Sequence, residues 1–256
     1  MFRETYAAAD GAPTAQVHLL GSTPLDDLLA LQQRLVYETS GRNDRTATIL
    51  LCEHPPEITI GRQGSRCDVR LSDATLEREQ IRVRWLNRGG GTLLHCPGQL
   101  AAYVILPLAR FGYSVGDFLT RLQAGLEAVA DELHLPRAAR SGRRGVWTRG
   151  GQAMFMAAAV KSWVSYFGAY IQVDPEDRWL HGAASDPIDG SEAVSPAAVL
   201  RRPVRMQMVR PAAAAALSTA LGCERYHLLT GHPLLARTLV RPDDDSRSPK
   251  DQASAG

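Results

Sequence analysis

The sequence predicts an α/β protein, in which a mixed β-sheet carries helices on its faces. Three observations lead there. Three stretches have helical apolar spacing or helix-boundary residues, and several runs are continuously apolar or alternating. The two kinds follow one another irregularly, without a repeating strand–helix–strand rhythm.

The first helix is expected to start at Thr23-Pro24-Leu25-Asp26. Thr23 would cap, Pro24 would fill the first turn and Asp26 would favour the positive helix end. It should run to about Thr39 with Leu28, Leu29, Leu31 and Leu35 inside. "TATILLCEH" and "EITIG" read as strands split by Pro55-Pro56. Ile81, Val83 and Trp85 alternate with Arg82, Arg84 and Leu86, a half-buried strand leading into a glycine-rich loop. "AAYVILPL" is the next strand. Ser114 should cap a long amphipathic helix carrying Val115, Phe118, Leu119, Leu122, Leu126, Val129 and Leu133, ended by Pro136. "SGRRGVWTRGG" reads as a loop, and residues 152–173 as two paired strands turning near Gly168. "PAAAAALSTALG" is a last helix stopped at Gly222, and the polar tail 241–256 is expected to be disordered. Without repeats or a convincing linker, residues 1–240 are expected to form a single domain.

Composition narrows the function. The 256 residues are 45% hydrophobic with no apolar run long enough to span a bilayer, which argues against a membrane protein. A net charge of +2 argues against a dedicated nucleic-acid binder. The start lacks a basic segment followed by an apolar one, and four irregularly spaced cysteines suit a reduced, cytoplasmic protein. Cys52, His54, His95 and Cys96 show neither C-x-x-C nor H-x₃₋₅-H spacing, so no metal site is expected. No other cofactor motif is present either: the glycines form neither a Walker A loop nor a dinucleotide fingerprint.

The stretch "RGGGTLLHCPGQL" (88–100) draws the most attention. Glycines after a strand let a polar ligand lie against backbone N–H groups, or simply make a turn. Arg88 stands at its entry, and Arg62, Arg143, Arg144 and Arg149 repeat the pattern of arginine beside glycine. His95 and Cys96 are neighbours on an extended chain and therefore point to opposite faces, which disfavours a nucleophile–base pair. His181, Ser185 and Asp186 contain the residue types of a hydrolase triad within six positions, too close to line up readily.

Taken together, "LLCEHPPEITIGR" (50–62), "RGGGTLLHCPGQLAAYVILPL" (88–108), "GVW" (145–147) and "VKSWVSYFGAYIQVDPE" (160–176) resemble the lipoyl/octanoyl transferase family. The resemblance spans roughly residues 15 to 235 in one register. It implies the biotin/lipoate protein ligase-like fold, related to class II synthetase cores. It also implies movement of an octanoyl group from acyl carrier protein to a lysine of lipoyl domains. The segment from Arg88, Gly89, Gly90 and Gly91 through Leu94 to His95 would line an acyl tunnel, joined by Met156, Ala157, Gly168 and Ala169.

The departures fall at the chemistry. The family's reaction uses a cysteine nucleophile and a lysine. Here Gln152 stands in the lysine's place, and counting onward puts Asp186 or its neighbour Ser185 in the cysteine's place. No cysteine occurs between Cys96 and Cys223. Glutamine cannot accept a proton near neutral pH, and the arginines are permanently charged. Lys161 is nine positions from Gln152, so on one strand it would face the other side. Three readings follow. In the first, transfer is lost or strongly impaired while an acyl or carrier-protein pocket is retained. In the second, the protein is an active transferase with Cys96 or Ser185 as nucleophile. In the third, it is a scaffold whose pocket is closed by Cys96 and Ala157.

Overall fold

The structure, a computed structural model, describes residues 10–139, 142–183 and 192–235. The expected tail at 241–256 lies outside them. Strand β1 (Asp10–Ser22) leads into helix α1 (Leu25–Gly41), then β2 (Asp44–Glu53) and β3 (Glu57–Ile60). A 3₁₀ turn at Arg66–Asp68 precedes α2 (Asp73–Arg78), β4 (Val83–Trp85), β5 (Thr92–His95) and β6 (Gln99–Ile105). The short α3 (Leu108–Phe111) and long α4 (Val115–Glu132) follow, then β7 (Val146–Thr148) and β8 (Gly151–Met156). The hairpin β9 (Ala159–Lys161) and β10 (Val164–Tyr166) leads to β11 (Gly168–Gln172). The chain continues through α5 (Asp177–Leu180), α6 (Pro196–Leu200), α7 (Met206–Ala220) and β12 (Arg225–Thr230).

Seven strands form one mixed sheet in the order β12-β1-β2-β6-β11-β8-β7. The pairs of β1 with β12 and β2 are parallel, and those from β2 to β7 are antiparallel. Central β6 is buried at all seven residues because both sheet faces are covered, which is why it reads as a continuous rather than alternating run after Gln99. Leu100, Ala102 and Val104 face the layer of α4 and α7, where Phe118, Leu122, Leu126, Ala213 and Leu217 pack. Ala101, Tyr103 and Ile105 face the other layer, with Leu28, Leu31 and Leu35 of α1 and Val164 of β10. A separate three-stranded sheet, β4-β3-β5, carries the glycine-rich loop between β4 and β5.

Several sequence expectations need correction. The α1 helix starts after Pro24 with no side-chain cap, because the Thr23 hydroxyl donates to the Leu20 carbonyl instead. Leu29 is only half-buried there. Trp85 is 65% exposed, since β4 is an edge strand and nothing covers its far end, whereas Leu86 turns inward. Val115 opens α4 in solvent, while Ser114 caps that helix in a capping box with Asp117. The expected loop at 141–151 contains β7. Residues 152–173 form four strands, and the tight turn lies at Ser162-Trp163 rather than Gly168. Both turn residues have left-handed φ (49° and 58°), the geometry a two-residue hairpin favours, but neither is the Gly or Asn that announces it. The α7 helix begins five residues before Pro211, and α6 and β12 carried no legible pattern.

Candidate functional site

A cleft of about 630 Å³ opens where the glycine-rich loop meets the edge of the seven-stranded sheet. Gly89, Gly90, Gly91 and Leu93 form one wall, and Gln152, Phe155, Met156 and Ala158 form the other. Trp147 and Leu119 add apolar surface, while Arg62, Arg143 and Arg144 make the cleft basic.

The glycines answer first to the protein's own backbone. Loop residues 61–63 donate N–H groups to the carbonyls of Gly91, Arg88 and Gly90 at 3.1, 3.0 and 3.2 Å. Gly89 N donates to the Ala158 carbonyl, and a Cβ on Gly89 would stand 2.7 Å from that oxygen. Gly90 adopts φ +75°, a conformation open to glycine at little cost. Close approach is therefore real at both positions, and the backbone of this chain at Met156 and Ala158 makes it.

Arg88 and His95 lie under the loop and do not line the cleft. Both are fully buried. The Arg88 Nη2 donates to the Thr59 carbonyl and to Thr59 Oγ1, each at 2.8 Å, and Nη1 donates to the Gly89 carbonyl at 2.9 Å. No carboxylate among the described residues pairs with this guanidinium, and burial pulls its pKa below the ordinary value. It acts as a staple between the loop and β3. The Gln99 amide donates to the Leu94 carbonyl, so its Oε1 accepts from His95 Nδ1 at 3.0 Å. His95 Nε2 then accepts from the Thr59 hydroxyl at 2.8 Å. Burial, neighbouring His54 and Arg88 hold His95 neutral. His54 has the same tautomer. Its Nδ1 donates to the Thr23 carbonyl at 2.6 Å and its Nε2 accepts from Tyr103 at 2.9 Å. Burial lowers its pKa to about 4.

Cys96 is also remote from the cleft. It packs with Ile58, Leu76, Leu94 and Trp179 behind the three-stranded sheet, and burial pushes its thiol up to about 12. A thiol protonated at neutral pH and facing away cannot attack a ligand in the cleft. Leu94 belongs to that same rear cluster, so Leu93, its neighbour on the opposite face, is the residue that reaches the cleft. Ala157 and Ala169 are core residues on opposite sheet faces. Gly168 sits where a Cβ would run into the Ala102 carbonyl of β6, so it is a packing glycine. Lys161 is exposed on the hairpin, and Arg149 is exposed in the β7–β8 turn. Ser185 and Asp186 lie outside the described residues.

Gln152, like Met156, is expected at the glycines from the sequence and is brought to them by the structure. Only 6% exposed, it lines the cleft from the start of β8. Its Nε2 donates to the carbonyls of Arg144 (3.2 Å) and Met154 (3.1 Å). Gly145, at φ +92°, leaves room for this amide, and Gln123 clamps Gly145 through its N–H (2.7 Å) and carbonyl (2.9 Å). Phe155 alternates with Met154 along β8 and reaches the cleft, whereas Leu119, Trp147 and Gln63 were not foreseen as cleft residues. Leu119 read as helix core, and only the "GVW" stretch offered a signal for Trp147.

A search of solved structures shows what this architecture is. Lipoate-protein ligase A bound with ATP superposes with a TM-score of 0.66 at 14% identity, over 87% of this chain and 92% of that one. A putative lipoate protein ligase from T. acidophilum also gives 0.66 at 14%, over 88% and 92%. The fold is that of the lipoate-protein ligases. A profile of the lipoyl protein ligase A/B catalytic domain matches residues 25–218, and the chain belongs to that family. Within the family it is octanoyltransferase-like. It is 34% identical to an octanoyltransferase of Geobacter metallireducens over 75% of this chain and 86% of that protein. It is 36% identical to one of Chloroflexus aurantiacus over 64% and 74%.

Proposed function

We propose that this chain is a cytoplasmic octanoyltransferase-family protein, built as one catalytic-type domain, that holds an acyl group without transferring it efficiently. Its partners would be acyl carrier protein and lipoyl domains, and its ligand a fatty acyl chain such as octanoyl. The observation that carries this reading is Gln152, whose two amide hydrogens are already engaged by backbone carbonyls where the family resemblance implies a lysine. An amide is no base at neutral pH, and loss of a positioned base costs about 10²–10⁴ in rate. The nucleophile is missing as well. The sequence places Asp186 or Ser185 where a cysteine is expected, and Cys96 stands outside the cleft with a raised pKa. Support for an acyl ligand comes from the apolar wall of Leu93, Phe155, Met156, Trp147 and Leu119. An archaeal lipoate protein ligase of the same fold has been solved together with its E2 lipoyl domain, which suggests the kind of acceptor this chain would meet.

The test has two arms. Incubation with octanoyl-acyl carrier protein followed by mass spectrometry is expected to give no covalent adduct, and the protein should not restore lipoylation in cells lacking their own octanoyltransferase. The double variant Gln152→Lys with Asp186→Cys should raise transfer above background, with either change alone doing little, because base and nucleophile act as a unit. Ser185→Cys in place of Asp186→Cys controls for the register. Robust complementation by the unmodified protein would overturn the proposal.

A further inference from the structure

The hydrogen-bonding polarity of Gln152 points to a particular class of ligand. Both polar atoms next to its Nε2 are carbonyl oxygens, which only accept, so the amide's orientation is fixed by its surroundings. A flip would set Oε1, an acceptor, against those two carbonyls and remove the donor that Gln152 gives each of them. The Arg144 carbonyl cannot easily move to accommodate this, because Gln123 grips the adjoining Gly145 on both sides and its own amide also reaches Glu127. The main chain of Gln152 is fixed too, its N–H donating to the Glu192 carbonyl and its carbonyl accepting from Val194 N. What remains is Oε1. No group among the described residues donates to it, and it belongs to a side chain that is nine-tenths buried and lines the cleft.

We propose that the cleft selects acyl amides over acyl thioesters and esters, taking an Nε-acyl-lysine side chain with its N–H on Gln152 Oε1. This deepens the acyl-binding reading and rests on it. A thioester or ester offers only acceptors at its acyl linkage, so it leaves Oε1 unpaired. A secondary amide offers a donor and an acceptor on opposite edges. Its N–H meets Oε1, while Arg62 and Arg144, in the same cleft, provide donors for the carbonyl. An ammonium at position 152 can only donate, so replacing lysine by this pinned glutamine turns the linkage-facing position from donor to acceptor. The site thereby recognises the acylated lysine in preference to the activated acyl donor.

The test compares two peptides, one bearing Nε-octanoyl-lysine and one bearing the octanoyl ester of 6-hydroxynorleucine in its place. Affinities are measured by calorimetry. The wild-type protein should bind the amide about 3- to 10-fold more tightly, the worth of one net hydrogen bond. Gln152→Met should abolish the difference. Because Met removes the side-chain donor from the Arg144 and Met154 carbonyls and could unfold the site, Gln152→Lys serves as the second variant. It restores donors to those carbonyls, should bind both peptides and should lose the preference. Equal binding of both peptides to wild type, or a preference that survives in both variants, overturns this inference and leaves the acyl pocket standing. Failure of either peptide to bind wild type overturns the acyl pocket, and the inference with it.

Discussion

Gly145 and Gln152 touch so closely that a methyl group on the glycine would stand 2.6 Å from the glutamine Nε2. The same methyl would run into the Met154 carbonyl, and the backbone there has φ +92°. Gly145→Ala should therefore cost about 1–3 kcal/mol from backbone strain alone, with the clash added to it. Urea denaturation would measure this. A Gly142→Ala control, at φ +73° but with nothing near its Cβ, should cost only the strain.

Thr59 makes a second prediction. Its hydroxyl donates to His95 and accepts from Arg88, two fully buried groups. Thr59→Val keeps the shape and removes both bonds, leaving a buried cation short of an acceptor. The expected loss is about 1–3 kcal/mol of unfolding free energy, with Thr59→Ser much milder. A loss from Thr59→Val no larger than that from Thr59→Ser would refute the stapling role of this hydroxyl.

The buried histidines predict acid sensitivity. His54 in the folded state has a pKa of about 4 against an ordinary 6.5, and His95 is lowered in the same direction. Below pH 6.5 the unfolded chain takes up protons that the folded chain refuses, so stability must fall as pH falls. The window runs from about pH 6.5 down to 4, with a slope of at most about 1.4 kcal/mol per pH unit for each histidine. Chemical denaturation midpoints across pH 4–8 should be flat at the alkaline end and decline through this window. His54 imidazole resonances should not titrate above pH 5.

Thiol reactivity separates the four cysteines. Only Cys67 is exposed; Cys52, Cys96 and Cys223 are buried with raised pKa values, about 12 for Cys96 and about 11 for Cys223. A disulfide reagent at pH 8 should modify one thiol rapidly in the native protein and all four in urea, and Cys67→Ser should abolish the fast phase. Fast labelling of Cys96 in the native state would revive it as a nucleophile.

The mixed sheet was legible because its helices carry long apolar stripes and β6 runs without alternation from Leu100 to Ile105. The cleft was legible only in part. Gly89, Gly90, Gly91, Met156 and Gln152 reach it, because a family motif marks the positions where the chain converges. Leu94 does not, because motif membership does not say which face of a four-residue strand a side chain takes, and His95, on the Leu93 face, is held further along the strand between Thr59 and Gln99. The Ser162-Trp163 turn stayed hidden because it takes left-handed conformations without Gly or Asn. The β12 strand was missed because an edge strand exposed at every residue needs no alternation.

That edge strand has a consequence for how the molecule assembles. The β1 strand is bordered on one side by β2, a near neighbour in the chain, and on the other by β12, with His18 and Gly231 joined across 213 positions of sequence. During synthesis the outer flank of β1 therefore stays unpaired until nearly all of the described chain has left the ribosome. Closing so long a loop is slow, and an open parallel edge can recruit a neighbouring nascent chain in the meantime.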